Sequence, residues 1–543
     1  EKCFGPIARG PVNEPAQAEV TELTEDVRTV MRDQVAAVSI DKYWTAPGIT
    51  DRELTALTVG AQILGGLSSS RLDNTLVRDE QLAVSVSAGN YAWQRVGILN
   101  VSATARPDVD ESEVERRLDE LVAQFIAEGP TEDEVRRAAT STVAGTIRGL
   151  EQVGGFGGKA VTLASGEVLA DDPSFYARQF EILATLTPGE VQAAMQRWMT
   201  RPSFTLVLEP GERDGSYEEA AGVAEAAGDG DPAEEVTVTK VRPAPPIDSV
   251  AELDFPEVQH TTLANGMALH YAQRDAIPAT YVTLSFDAGS TADPADKRGL
   301  EGLALGLFEE GTTSMSSREI AETSERLGAN ISLGGGADRS SFTLSALSAN
   351  LVPSLELLSD MVRNPAFDPA EIDRVRAQRI TSVEQELRTP AAIAARTAAP
   401  LIYGADSPYA GPDSGTVASL TAITREDITA FKDRWIRPDN GEIFVVSDRP
   451  LAEIVGALNG VFGDWEAPAA AKGTKSFADA PEAATESRIV LVHRPNSPQS
   501  YIYGGQLTPV DPRGETYVDF LNANNALGGN FLARLNMNLR ETK

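Results

Sequence analysis

Apolar residues recur along the chain with two periods. Val114, Leu118, Leu121, Val122 and Phe125 repeat at helical spacing, which places them on one face of a helix. Gly129-Pro130 stops that helix, and Thr131 with Glu134 forms a capping box that starts another, reading helically over 134–151. Ser316–Leu327 is amphipathic in the same way. Asp368-Pro369 supplies an N-cap and a first-turn proline for a long helix towards Leu387. Short β-rich runs predict strands at Leu82–Ala88, Gly97–Thr104, Ala268–Ala272, Tyr281–Asp287, Ser341–Leu347, Ile443–Val446 and Ile489–Val492. The short polar loop between the first two predicts an antiparallel hairpin. Strand runs flanked by helices, without strict alternation, predict an α+β fold.

The pattern also repeats over a long distance. Ile63-Leu64-Gly65-Gly66, followed by Arg71-Leu72 and Leu76, returns as Ala526-Leu527-Gly528-Gly529 with Arg534-Leu535 and Leu539, at a constant offset of 463 from Ile63 to Ala526. No solenoid has so long a period, so this reads as duplication of a large unit. The stretch Gly211–Asp254 interrupts the pattern. It holds 12 acids and 3 bases, few large apolar residues, and Pro-Ala-Pro-Pro near its end. That composition is a linker's. A weaker break lies at Ala467–Ala484.

Composition narrows the function classes. The 543 residues exceed one hydrophobic core. Lys plus Arg is 47 against 80 Asp plus Glu, a net charge of −33. This argues against nucleic-acid binding through bulk charge and against adsorption to an anionic membrane. No apolar run is long enough for a spanning helix. One cysteine, Cys3, excludes an intrachain disulfide and a cysteine zinc cage. Three histidines, His260, His270 and His493, are a poor supply for a metal site; each reads as a sheet-edge or turn residue. Gly154-Gly155-Phe156-Gly157-Gly158-Lys159 is not a phosphate loop. Ala160 stands where Mg²⁺ chemistry needs Ser or Thr, and a helix precedes it where a strand should. No Gly-x-Ser-x-Gly elbow occurs in a strand-to-helix context.

Several stretches, taken together, resemble the pitrilysin/insulinase family of zinc metallopeptidases in its bacterial two-repeat form. They are Leu263-Ala264-Asn265-Gly266-Met267, Phe286-Asp287-Ala288-Gly289-Ser290, Gly299-Leu300 through Glu310-Gly311-Thr312, Asp439-Asn440 and Gly463-Asp464-Trp465. Upstream, Leu64-Gly65-Gly66 to Leu82–Val86 resembles the second domain of a first repeat, and Cys3–Ile7 the tail of a domain before it. The resemblance implies repeated domains, each a mainly antiparallel sheet with helices packed on one face. It divides the chain into 1–210 (second domain of the first, active repeat), 211–254 (hinge linker), 255–480 (third domain, with a degenerate metal site) and 481–543 (start of a fourth, truncated).

The family binds zinc through His-x-x-Glu-His on one helix. Here those positions are Gly302, Leu305 and Gly306, and the later ligand position falls at Ser382, with Glu384 close by. The resemblance therefore implies a fragment lacking the zinc-binding domain: zinc in the full-length protein, with ligands upstream, and none bound by this chain. Arg540 matches a family arginine that binds substrate backbone; in the first copy the same offset gives Val77. The implied function is the non-catalytic portion of an endopeptidase that encloses peptides or unfolded polypeptides in a two-bowl chamber. The alternative is a non-catalytic peptide-binding subunit that pairs with a zinc-bearing chain. The implied partners are the peptide and the missing N-terminal catalytic domain, with no nucleic acid and no membrane span. The implied compartment is periplasmic or secreted.

Overall fold

Alternation of inward apolar and outward polar residues builds the first of two sheets. The computed structural model of the chain describes residues 10, 22–212, 255–477, 486–495, 497 and 500–542. Strands β1 (Val27–Asp33), β2 (Ser39–Pro47), β3 (Ala83–Ala92), β4 (Val96–Ala105) and β5 (Phe204–Pro210) pair in the order β1-β5-β2-β4-β3. Only β1 and β5 run parallel. The β3–β4 hairpin is the one the polar loop predicts. β4 turns Leu99, Val101 and Ala103 into a core that the helix Glu111–Glu128 closes with Val114, Leu118, Leu121, Val122 and Phe125. The sequence reading missed β1, β2 and β5. In β2, Asp41 and Lys42 mask the alternation; Lys42 points towards the core side and is held there by an ion pair with Asp119.

The second sheet comprises β6 (Gln259–Thr262), β7 (Ala268–Gln273), β8 (Ala279–Phe286), β9 (Asn330–Gly335), β10 (Ser340–Leu347) and β11 (Gly441–Ser447), in the order β6-β7-β11-β8-β10-β9. Here only β7 and β11 run parallel. Leu269, Tyr271, Val282, Leu284, Phe286, Phe342, Leu344, Ile443 and Val445 form its buried face. The fold is thus α+β, with two mixed, mainly antiparallel sheets, each over its own apolar core. The predicted helix starts hold closely. Thr131 caps Glu132–Gly149 and exchanges both hydrogen bonds of a capping box with Glu134, Ser316 does the same for Ser317–Leu327 with Glu319, and Asp368 caps Pro369–Glu386.

The two halves touch through these helices. Glu132–Gly149 packs against Ser317–Leu327. At their crossing the buried Arg137 pairs with the buried Glu325 and also bonds Ser69; Ser69 donates to Glu325 at 2.5 Å. Asp133 accepts from Arg326 across the boundary and from Arg136 and Arg137 on its own side, which holds its carboxyl far below the usual range. A second group joins Arg78 of the first half to Glu310 at 2.5 Å, and Arg374 reaches the same carboxylate at 2.6 Å. Gly328 makes the close approach possible. Its φ is +60°, and a Cβ there would lie 2.9 Å from the Ala144 Cβ.

The long-range repeat is visible in the backbone. The helix Leu54–Ala61 leads into a π-turn at Gln62–Gly66, and Tyr517–Asn524 leads into one at Asn525–Gly529, with the offset of 463 kept at every boundary. Burial differs completely. Leu57, Leu64, Leu72 and Leu76 are buried, whereas Phe520, Leu527, Leu535 and Leu539 are exposed. The strand expected at Ile489–Val492 does not form; those residues are irregular, with Ile489 95% and Leu491 90% exposed. In the first copy β1 and β2 pair with β4 and β5. Cys3–Ile7, and the linker from Arg213 to Asp254, lie outside the described residues.

Candidate functional site

The segment Leu263–Met267 is a tight turn between β6 and β7. Leu263 N–H donates to the Met267 carbonyl at 2.9 Å, Gly266 takes φ +88°, and the Asn265 amide reaches the Phe462 and Trp465 carbonyls at 2.9 and 3.3 Å. This ties the start of the second half to its end. From β8 the chain passes Gly289, also at positive φ, and arrives at Gly299 (φ +89°), the N-cap of the helix Leu300–Leu307. Asp293 accepts from the Gly299 and Glu301 N–H groups, 2.9 Å each, in place of a cap side chain.

Leu300, Leu303, Ala304 and Leu307 pack this helix onto the core, and Phe308 stacks edge-on with Phe342 and Phe367 at its end. Leu305 is buried as well. Gly302 and Gly306 are half-buried, and the helix Pro369–Glu386 passes beside them. Its Arg379 fills the space. The guanidinium donates to the Gly302 carbonyl at 2.7 Å, and a Cβ on Gly302 or Gly306 would meet Arg379 nitrogens at 3.4 and 3.5 Å. The expected third position, Ser382, is exposed and bonds back to the Gln378 carbonyl at 3.0 Å; Val383 beside it is buried. These residues do not fit zinc. Gly302, Leu305 and Gly306 carry no donor side chain, and the Arg379 guanidinium lies beside the two glycines.

Two carboxyls near this helix were not singled out from the sequence. Glu301 is buried, accepts from the Ser340 hydroxyl at 2.6 Å, and is pushed up to about 7, chiefly by burial, against the pull of Arg379. Asp293 is pushed up to about 7 for the same main reason. Only burial distinguishes them from the other acids, and burial is a tertiary property. Gly154–Lys159 forms turns before a helix that opens at Lys159, with Phe156 fully exposed. Arg540 lies in the helical turn Met537–Thr542. Its contacts are local: the Phe531 ring at 5.6 Å and Glu541 at 3.8 Å. Val77 is buried in the corresponding first-copy turn, Asp73–Asp79.

Comparison with known proteins accords with this helix and its surroundings. The family model described as "Insulinase (Peptidase family M16)" matches residues 271–405, and the one described as "Peptidase M16 inactive domain" matches 1–142 and 422–543. The chain is a peptidase M16 (insulinase) family protein carrying both of these domain types. It is 22% identical over 289 residues to a protein of Bacillus subtilis named "Uncharacterized zinc protease YmxG", covering 53% of this chain and 68% of that one. Over 214 residues it is 25% identical to the "Probable zinc protease PqqL" of Haemophilus influenzae, covering 37% of this chain and only 23% of the relative. It is 25% identical to the mitochondrial-processing peptidase subunit alpha of Solanum tuberosum over 203 residues, 34% of this chain and 39% of that one. A solved peptidase M16 inactive domain from Pseudomonas fluorescens is similar at TM-score 0.45 and 21% identity, over 53% of this chain and 68% of that one. The first half of the periplasmic protease PqqL from Escherichia coli is similar at TM-score 0.36 and 17% identity, over 41% and 48%. The chain thus spans less than half of the Haemophilus and potato proteins it matches.

Proposed function

We propose that this chain is the non-catalytic portion of a zinc metalloendopeptidase, placed around a chamber in which another domain cleaves peptides. One observation carries the reading: at the family's metal-binding positions stand Gly302, Leu305 and Gly306, and Arg379 occupies the space beside them. The residues present can build walls, docking surfaces and a peptide-binding face, but hold no donor set for the family's metal on that helix. In this reading, residues 1–210 are the second domain of an active first repeat, 211–254 the connection, 255–480 a degenerate third domain, and 481–543 the start of a fourth. The zinc ligands lie on a preceding domain, and Arg540 contacts substrate backbone once the fourth domain is complete. The placement is periplasmic or secreted. Peptide adds as a strand to a sheet edge, which gives affinity through backbone hydrogen bonds with loose sequence preference.

The test is hydrolysis of an internally quenched peptide by the 543-residue chain, alone and together with the upstream domain. The proposal expects no chelator-sensitive turnover from the chain alone and turnover with the domain added. Chelator-sensitive turnover by the chain alone overturns it. A second reading is a non-catalytic peptide-binding subunit that pairs with a separate zinc-bearing chain, supported by the similarity to a processing-peptidase subunit. Co-purification with a separately encoded zinc-bearing chain favours it over the first.

A further inference from the structure

Two of the three histidines stand opposite each other. β6 and β7 are antiparallel with His260 in register with His270, so both rings project from the same, outward face of the second sheet. Their Nδ1 atoms are 2.8 Å apart, with ring planes at 78°. The other nitrogen of His270, Nε2, lies 3.2 Å from Glu442 Oε2 on β11. Arg339 donates to Glu442 Oε1 at 2.7 Å and also to Ser285, which fixes the carboxylate. Phe444, in register with His270, stacks on its ring at 4.9 Å.

The protonation pattern follows from the partners. A carboxylate only accepts, so the His270 proton sits on Nε2 and the Nδ1 lone pair faces His260. An imidazole whose far N–H is held by a carboxylate, leaving the near nitrogen free, is the arrangement that orients histidine towards a metal. The 2.8 Å separation is that of the N–H···N hydrogen bond joining the metal-free rings, and it is also compatible with one kind of ion. Metal–imidazole bonds of about 2.0 Å meeting at a right angle put the two nitrogens about 2.8 Å apart, which is the separation of cis ligands in a square-planar or tetragonal shell.

The geometry points to a surface site at His260 and His270 for a divalent transition ion of tetragonal preference, Cu²⁺ or Ni²⁺. The two imidazoles are its protein ligands, water completes the shell, and Glu442 with Arg339 acts as the outer support. When the ion takes the place of the proton shared between the rings, that proton passes through solvent to Nε2 of His260, so both Nδ1 lone pairs face the ion, which ties the edge strand β6 to β7. This is a two-ligand site; among the described residues no group of three or more His, Cys, Asp or Glu is placed to hold a metal.

The test is titration of the full chain with Cu²⁺, read by electron paramagnetic resonance, with Cys3→Ser as the control for the thiol. One equivalent should bind with hyperfine splitting from two imidazole nitrogens and raise the thermal midpoint. His260→Ala and His270→Ala should each weaken binding at least about tenfold and remove one nitrogen from the spectrum. Glu442→Ala should weaken it about tenfold while keeping both nitrogens. His493→Ala should change nothing. Metal-free melting checks that each variant folds; His260 is exposed, so its variant carries the test even where His270→Ala loosens the ring stacked on Phe444. Unaltered affinity in the His260 variant, or equal loss in the His493 variant, overturns the site.

Discussion

Arg379 changes what the helix Leu300–Leu307 can become. Writing His-x-x-Glu-His back with Gly302→His, Leu305→Glu and Gly306→His sets two imidazoles against a guanidinium that now lies within 3.5 Å of both Cβ positions. Zinc affinity of that triple variant, measured by competition with a chromophoric chelator, should rise at least about tenfold when Arg379→Ala is added, because a fixed cation opposes a divalent ion at close range. Glu301 and Asp293 make a separate, pH-dependent prediction. Their folded-state carboxyls titrate near 7, above the ordinary carboxylate range, so between about pH 4 and 7 the folded chain holds more protons than the unfolded one. Stability then falls as pH rises through that window and levels off above it. Thermal midpoints from pH 5 to 8 should show the decline, and Glu301→Gln should lessen it, leaving the part due to Asp293. The salt-bridged Asp133 acts in the opposite sense, losing its contribution only at strongly acidic pH as its depressed carboxyl protonates. At this scale the glycines at 302 and 306 were legible as positions without a donor side chain. Arg379 was not, because its helix lies 77 positions from Gly302 and nothing in the spacing names the residue that turns towards it.

Helix starts were the most legible elements, since a cap is a local bargain between a side chain and the backbone N–H groups a few residues on. Thr131 and Glu134 satisfy each other at 2.7 and 3.2 Å, as the sequence required. Thr131→Ala should lower stability by about 1 kcal/mol in denaturant titration, with Thr131→Ser restoring most of it. Strands were harder. β3, β4, β7, β8, β10 and β11 carry clear apolar runs, but β2 hides its alternation behind Lys42 and Asp41, and β1 keeps Val27 and Val30 partly exposed. Ile489–Val492 shows the converse error: good β residues form no strand, and Ile489 and Leu491 stay exposed. Gly328 is the element-scale weak point. Gly328→Ala adds a Cβ 2.9 Å from the Ala144 Cβ at a left-handed φ, and should destabilise the helix crossing by about 1–3 kcal/mol, read as a lowered thermal midpoint.

For the whole molecule, the halves are joined by direct contacts as well as by the connecting chain. The ion pairs Arg137–Glu325, Arg326–Asp133 and Arg78–Glu310 cross the boundary, and the first is buried on both sides. Removing Glu325 takes from the buried Arg137 its carboxylate across the boundary and leaves it only Asp133 on its own side. A chain cut at a protease site inserted between Gly211 and Asp254 should therefore elute as one particle in gel filtration. Glu325→Ala in the cut chain should release the two fragments.

The sequence by itself determined the α+β class, the repeat at an offset of 463, the helix caps and the absence of donor side chains at Gly302, Leu305 and Gly306, since each depends on residue identity and short-range periodicity. Tertiary structure alone decided that Arg379 fills the space beside Gly302 and Gly306, which carboxyls are buried enough to be pushed up to about 7, and how two histidines in adjacent strands face each other. It also decided that one copy of the repeat buries its leucines while the other exposes them. Burial and cross-strand register are set by which segments come together in space, and ten or four hundred intervening residues do not announce that.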